Sequence, residues 1–154
     1  MGVFDVIEIR KNIIVEANVS VGDWRQAIRA AGKLLVKHGM TLPEYTDAMV
    51  KLVETKGPYI VLTQGLAMPH ARPEDGAKKI GIGLLTLTEP IVFGHPQNDP
   101  VRVVAALSSV DSKSHLTLIS YLAKILGSKD TLCSIIAAQS SQEIYAILER
   151  RCDV

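Results

Sequence analysis

The chain is poor in the features that mark several large classes of protein. It has 154 residues, of which only 5% are aromatic. Its two cysteines, Cys133 and Cys152, lack the close spacing of a metal-binding pair. No apolar run approaches the roughly 20 residues that a membrane-spanning helix needs. We therefore expect a reduced, cytoplasmic protein, and any role at a membrane would be exercised through a partner.

The chain also lacks an excess of charge of one sign. The net charge is +1, from 17 basic and 16 acidic residues. No basic cluster exceeds a pair such as Lys78-Lys79, which argues against an electrostatic nucleic-acid partner. The N-terminal residues, MGVFD, place an acid among apolar side chains and lack the apolar core of a signal peptide.

Hydrophobic patterning predicts a single α/β domain over residues 1–154. Hydrophobic residues make up 47% of the chain, which is enough for a sizeable core. The run at 101–107 is almost wholly apolar, as in a strand that is covered on both faces. Short apolar runs predict the full set of strands, at 12–19, 59–62, 80–87, 91–93 and 101–107.

Helical signals lie between and after these strands. Asp23 can cap a first helix, and Gly57 stops a second helix that begins near Pro43. A long helix follows the last strand, and two more are predicted over 131–138 and 142–150. The expected inward face of the long helix consists of Leu116, Ile119, Leu122, Ala123 and Leu126. The predicted fold is an α/β sandwich, with a mixed, mostly parallel central sheet flanked by helices.

One histidine lies in a proline-rich segment. Residues 65–73 read GLAMPHARP, with His70 between Pro69 and Pro73 and with Arg72 two positions later. Each proline fixes its own backbone torsion and biases the preceding residue towards extended conformations, so the segment is not mid-helix. Arg72 can bring a permanent, fork-shaped cation towards whatever meets the ring. A proline-bounded turn with a solvated histidine is the alternative that these residues leave open.

The other histidines are not equivalent to one another. His115 follows a buried strand and falls in the first turn of the next helix, where sites collect and anions bind. His38 reads as a residue at a helix end, and His95 as a loop residue that could border a site. A metal site using His70, His95 and His115 is disfavoured, because the chain has no His-x-x-x-His or His-Cys cluster.

Two histidines without an accompanying acid–base triad suit phosphoryl relay. Neutral imidazole is nucleophilic near pH 7, since its unperturbed pKa is about 6.5. The phosphorylated ring is an energy-rich P–N adduct, so it can pass the group on. The protein must then position the ring and stabilise charge on the phosphoryl oxygens.

These residues also carry a family resemblance. The segment GLAMPH at 65–70 resembles the active-site stretch of the mannitol/fructose-type enzyme IIA proteins of the bacterial phosphoenolpyruvate-dependent sugar phosphotransferase system. Further matching features are GPY at 57–59, KK at 78–79, NDPV at 98–101, and His115 after VD at 110–111. Together they look most like the ascorbate-specific branch, and the similarity runs from about residue 11 to residue 148.

The resemblance implies a phosphotransferase in which His70 accepts phosphate from the phosphocarrier protein HPr and passes it to a cysteine of enzyme IIB. The membrane enzyme IIC would then be an indirect partner, in the uptake of ascorbate or a related sugar acid. By the same resemblance, the ring of His115 donates a hydrogen bond to the phosphoryl group. Backbone N–H groups near Val110, Asp111 and the start of the following helix could complete the cradle, and no cofactor or metal is implied.

One departure from the family pattern affects the expected site. Mannitol-type members carry an arginine where this chain has Glu54, and Arg72 is our candidate to replace it. Asn98 and Asp99 could shape the site, or could form a simple Asx turn. A regulatory, nitrogen-type enzyme IIA is the alternative function. The sequence leaves the transported sugar and the formation of a homodimer open.

Overall fold

A five-stranded sheet lies at the centre of the structure, a computed structural model that describes residues 10–152. The predictions for the N-terminal residues and for the two ends of the domain lie outside the described residues. The strand order is β1-β4-β5-β3-β2. The strands are β1 (Ile13–Val19), β2 (Val61–Thr63), β3 (Leu66–Ala67), β4 (Gly81–Ile91) and β5 (Val101–Ser108).

The sheet is mixed, as predicted, but parallel pairs do not predominate. β1 runs parallel to β4 and β3 parallel to β5, whereas β4–β5 and β2–β3 are antiparallel. The expectation of a mostly parallel sheet failed at β4 and β5. These strands are joined by the short loop 92–100 and not by a helical crossover, and a short connection makes neighbouring strands antiparallel.

Along residues 13–152, five α-helices cover the two faces of the sheet. Asp23 caps the first helix by accepting a hydrogen bond from the Gln26 N–H, and Gly57 ends the second with a φ of 86°. In chain order the helices are α1 (Trp24–Lys37), α2 (Pro43–Lys56), α3 (Ser112–Leu126), α4 (Lys129–Ala137) and α5 (Ser141–Cys152).

Alternate residues of the central strands enter two separate cores. In β5, Val103, Ala105 and Leu107 pack against α3, α4 and α5. Val104 and Ala106 face the opposite way, against α1 and α2. Both faces are therefore covered, which explains the nearly unbroken apolar run in β5 and confirms the predicted sandwich.

Several local predictions differ from the structure, and the short strand β3 was not predicted. β2 begins at Val61, so Tyr59 and Ile60 precede it. Ile91 is the end of the long β4 and does not belong to a separate strand at 91–93. Leu116 and Ala123, predicted to face inward, are exposed, whereas Leu118 is fully buried. Helix α3 carries apolar residues around much of its circumference, so periodicity alone did not determine which face is buried.

A side chain of α5 covers the start of the outer edge of β1. The Tyr145 hydroxyl of α5 accepts a hydrogen bond from the Val15 N–H (3.1 Å) and donates one to the Ile13 carbonyl (2.9 Å). Both backbone groups lie on the side of β1 that faces away from β4. Tyr145 thus satisfies the polar groups that an edge strand leaves unpaired.

Candidate active site

His70 and His115 meet because of the direction of two neighbouring strands. β3 and β5 are parallel, with Leu66 opposite Val103, so their carboxyl ends lie at the same edge of the sheet. His70 follows β3 and His115 follows β5. Their ring centroids are 5.0 Å apart, with an angle of 54° between the planes. The sheet topology therefore brings together two residues that are far apart in sequence.

Backbone hydrogen bonds fix the segment on both sides of His70. Before the histidine, the Met68 N–H donates to the Ile60 carbonyl (2.9 Å), and Pro69 accepts from the Leu107 N–H (2.8 Å). After it, the Ala71 N–H donates to the Tyr45 hydroxyl (3.0 Å). The prediction that this segment is non-helical is confirmed, because residues 68–72 form no helix.

Tyr45 connects this segment to the central strand from within the core. The side chain comes from α2 and is fully buried. Its hydroxyl donates to the Leu107 carbonyl (2.5 Å) while it accepts from Ala71. Burial raises the pKa of Tyr45 to about 12, so the hydroxyl keeps its proton at any physiological pH.

The Met68 carbonyl determines which nitrogen of His70 is free. The Nδ1 atom of the ring is 2.9 Å from this carbonyl oxygen. Because a carbonyl oxygen can only accept, Nδ1 carries the hydrogen in the neutral ring and Nε2 carries the lone pair. Tyr59 packs against the same ring edge to face, with centroids 5.9 Å apart. His70 thus presents one nucleophilic nitrogen on a ring held by two contacts.

His115 owes its position to a capped helix start. The carboxylate of Asp111 accepts from the Ser114 N–H (2.7 Å), and the Asp111 carbonyl accepts from the His115 N–H (3.1 Å). The pKa of His115 is lowered, first by burial and second by the charge of nearby His70. Near pH 7 the ring is therefore neutral, and one of its nitrogens can donate a hydrogen bond.

A pocket of about 760 Å³ contains all four predicted site residues, His70, His115, Arg72 and Asp111. Lys56 and Ser109 were not predicted as site residues, and Tyr59 was named only as a strand residue and as part of the GPY match at 57–59. The Pro58-Tyr59 pair directly after the second helix was the sequence feature from which Tyr59 could have been predicted to line the site. The full lining is Leu52, Lys56, Tyr59, His70, Ala71, Arg72, Pro73, Ser109, Asp111, Ser112, His115 and Leu116.

Arg72 is engaged in an ion pair at the rim of this pocket. Its guanidinium donates to both carboxylate oxygens of Asp75, at 3.2 and 3.1 Å, and lies 3.5 Å from Glu74. The hydrogen bond from Arg72 lowers the pKa of Asp75. The Arg72 side chain is 70% exposed, so solvent screens the pair and the arginine can exchange partners at little cost.

Two of the backbone groups expected to cradle a phosphoryl group already have a partner. The N–H groups of Val110 and Asp111 both donate to the Ser114 hydroxyl, at 3.1 and 3.2 Å. The hydrogen bond from the Ser114 N–H lowers the pKa of Asp111, whose carboxylate serves as the helix cap. A cradle built from these two amides would require Ser114 to release them.

Several other candidates lie outside the pocket. The Nδ1 atom of His95 accepts from the Gln97 and Asn98 N–H groups, at 3.1 and 3.0 Å. Asp99 accepts from the backbone of residues 93–95, which fits the alternative of a structural turn. Glu54 lies 3.7 Å from Arg25. Among the side chains that the structure describes, those of residues 10–150, no three His, Cys, Asp or Glu residues cluster as metal ligands would.

No helix in the described part of the chain is both long and apolar enough to cross a membrane. Cys133 is an exposed free thiol.

The fold and the pocket together define an α/β protein with a paired-histidine site. A site of this kind is suited to accept a phosphoryl group. The family model for the phosphoenolpyruvate-dependent sugar phosphotransferase system, EIIA 2, matches residues 8–151, and the chain belongs to this family. It is therefore a phosphotransferase component, as the similarity at residues 65–70 implied.

Individual relatives cover almost the whole chain. The ascorbate-specific PTS system EIIA component of Shigella flexneri is 34% identical over 97% of this chain and 97% of its own length. The mannitol-specific cryptic enzyme IIA CmtB of Escherichia coli is 29% identical, with a TM-score of 0.81 over 95% of this chain and 98% of its own.

Two further solved structures bear on partners and on function. Enzyme IIA of the E. coli mannitol system, solved in complex with phosphorylated enzyme IIB, has a TM-score of 0.77 at 27% identity, over 91% of this chain and 95% of its own. The nitrogen regulatory protein IIA-Ntr of Neisseria meningitidis has a TM-score of 0.73 at 25% identity, over 96% of this chain and 99% of its own.

Proposed function

We propose that the protein relays a phosphoryl group from phospho-HPr, through His70, to a cysteine of enzyme IIB. The observation that carries this proposal is the hydrogen bond between His70 Nδ1 and the Met68 carbonyl. It leaves Nε2 as the single nucleophilic nitrogen of a ring that lines an open pocket beside a second histidine. A relay residue needs this combination of fixed tautomer and access for two partners.

The transfer step follows from this tautomer. The lone pair of His70 Nε2 attacks phosphorus, and the P–N bond to the HPr histidine breaks, its electron pair returning to that imidazole. Positive charge develops on the His70 ring, and the Met68 carbonyl stabilises it through the Nδ1–H. In the second step, an enzyme IIB thiolate attacks the same phosphorus and the electron pair returns to Nε2.

His115 and the neighbouring residues support this transfer. A neutral His115 ring donates one N–H to the phosphoryl oxygens, which is the preorganised charge stabilisation that phosphoryl transfer requires. Asp111 acts through His115, by capping the helix that holds it. Arg72 exchanges its exposed partner Asp75 for the phosphoryl group when phosphate arrives.

The proposed partners are HPr and enzyme IIB, with the membrane enzyme IIC served indirectly. The structural similarity to an enzyme IIA that was solved with phosphorylated enzyme IIB supports the second of these. Ascorbate or a related sugar acid is the proposed substrate of the system, on the strength of the 34% identity to an ascorbate-specific component.

Reconstitution with phosphoenolpyruvate, enzyme I and HPr tests the proposal. We expect a gain of one phosphoryl group by mass, on His70 by peptide mapping and on Nε2 by NMR. His70→Ala should fold normally and take up no phosphate. Acid-labile phosphate on the His70→Ala protein, or none on the wild type, would refute the assignment.

A regulatory role is the second candidate, because the nitrogen regulatory IIA-Ntr shares the fold over 96% of this chain. Both roles begin with a phosphorylated His70, so they differ only in the next step. Transfer from phospho-His70 to the cysteine of an ascorbate-type enzyme IIB favours transport. A phosphorylated protein that is inert towards enzyme IIB favours regulation.

A further inference from the structure

One lysine in the pocket has no counter-ion among the residues that the structure describes. Lys56, the last residue of α2, lines the pocket together with His70 and His115. Within the part of the chain that the structure describes, the ion pairs involve other residues and leave its amino group unpaired. The other cation of the pocket, Arg72, already has two carboxylate neighbours. Lys56 is therefore the cation that can meet an anion without giving up a partner.

The N-terminal start of α3 at Ser112 favours an anion, but two other features of the pocket oppose a phosphoryl group. Asp111 contributes a carboxylate, and the C-terminal end of α2, with its negative end of the helix dipole, lies at the pocket wall. A phosphoryl group adds up to about two further negative charges. Without a nearby cation these negative charges would repel one another.

We propose that Lys56 binds the phosphoryl oxygens on His70 and stabilises the charge during transfer. This inference deepens the proposed function and rests on it. The lysine carries a compact charge on a flexible stem, so its amino group can follow the phosphorus as the group enters and leaves. Leu52, one turn earlier on the same face of α2, also lines the pocket. This face of α2, which includes Lys56, therefore forms part of the pocket wall.

A small phosphoryl donor separates this role from the docking of partners. Phosphoramidate transfers its phosphoryl group to histidine without any protein: Nε2 attacks phosphorus, the P–N bond of the donor breaks, and ammonia leaves with that electron pair. Its reaction with His70 therefore reports stabilisation of the phosphoryl group alone. The rate is measured by intact mass and by NMR of the phosphohistidine.

Three variants distinguish charge from structure. Lys56→Met should slow phosphorylation by phosphoramidate roughly tenfold, as expected for the loss of one charge-assisted contact, and should make the rate less sensitive to salt. Lys56→Arg should restore most of the rate. Lys51→Met is the matched control, because Lys51 lies exposed on the same helix and outside the pocket, and it should react like the wild type.

The outcomes separate the two proposals. A Lys56→Met protein that reacts like Lys51→Met overturns the role of Lys56, even where phospho-HPr phosphorylates His70 normally. A wild type that reacts with phosphoramidate but not with phospho-HPr refutes the relay and leaves the Lys56 comparison valid. A wild-type His70 that takes phosphate from neither donor overturns both.

Discussion

The hydroxyl group of Tyr45 lies between Ala71 and Leu107 and hydrogen-bonds to both. The first of these residues directly follows His70, and the second belongs to the central strand β5. Tyr45→Phe would leave a buried N–H and a buried carbonyl without this partner. We expect the free energy of unfolding to fall by about 1–3 kcal/mol, and phosphate uptake to slow because the His70 segment is less well fixed. Urea denaturation and single-turnover phosphorylation measure the two effects.

Tyr145→Phe is the matched control for this change. It removes another hydroxyl that bridges two backbone groups, but at the edge of β1 and away from the pocket. It should lower stability without changing the phosphorylation rate. Equal kinetic defects in both variants would show that the Tyr45 effect is a general loss of stability.

The pKa of His115 provides a second prediction. It should titrate below the ordinary histidine value of about 6.5, because burial and the His70 charge both favour its neutral form. His70→Gln should raise this pKa but leave it below the ordinary value, since burial is the larger cause. Proton NMR titration of the wild type and the variant provides the measurement. A His115 pKa that does not change in His70→Gln would show that the rings are not electrostatically coupled.

The same pKa shift has a consequence for stability. Below pH 6.5 the unfolded chain protonates His115 before the folded protein does, so the unfolded state binds more protons. The free energy of unfolding is therefore unaffected by the titration of His115 above about pH 6.5. It decreases as the pH falls from there towards the lower pKa that His115 has in the folded protein. His115→Gln should flatten this part of the stability profile.

A third prediction concerns the role of His115 in transfer. The His115→Ala protein should still accept phosphate on His70. Its transfer of that phosphate to enzyme IIB should be roughly tenfold to a hundredfold slower, because the phosphoryl oxygens lose a hydrogen-bond donor. His115→Gln, which keeps an N–H donor, should recover part of the rate. Phosphate mapped to His115 in the wild type, or normal rates in His115→Ala, would exclude a supporting role.

Arg72 is the subject of the fourth prediction. Arg72→Ala should slow transfer roughly tenfold through loss of a charge-assisted contact, with little effect on stability because its ion pair with Asp75 is exposed. Asp75→Ala removes the same ion pair but keeps the arginine, so it serves as the control. Matching rates in wild type and Arg72→Ala would identify the arginine as a surface residue.

The paired histidines were predictable because each has its own local signal. His70 lies in a proline frame, and His115 lies at a strand-to-helix junction. Their 5.0 Å separation depends on the parallel pairing of β3 with β5, which links residues far apart in sequence. Local pattern identified the residues, and topology determined the distance between them.

Other parts of the site had no sequence signal. Lys56 reads as an ordinary basic residue at a helix end, and only the packing of α2 beside the His70 segment places it in the pocket. Ser114 looks like a common capping residue, yet its hydroxyl accepts hydrogen bonds from the N–H groups of Val110 and Asp111, which were expected to bind phosphate. Whether a side chain or a ligand binds these N–H groups depends on side-chain geometry, which cannot be inferred from composition and periodicity.

Tyr145 bears on how two copies of this chain can associate. Its hydroxyl occupies the Val15 N–H and the Ile13 carbonyl, through which a strand from another molecule would extend the sheet. Such an intermolecular strand would have to displace Tyr145 first. The start of the β1 edge is thus protected against continuous sheet growth, and β2 is the edge of the sheet that lacks this protection by Tyr145.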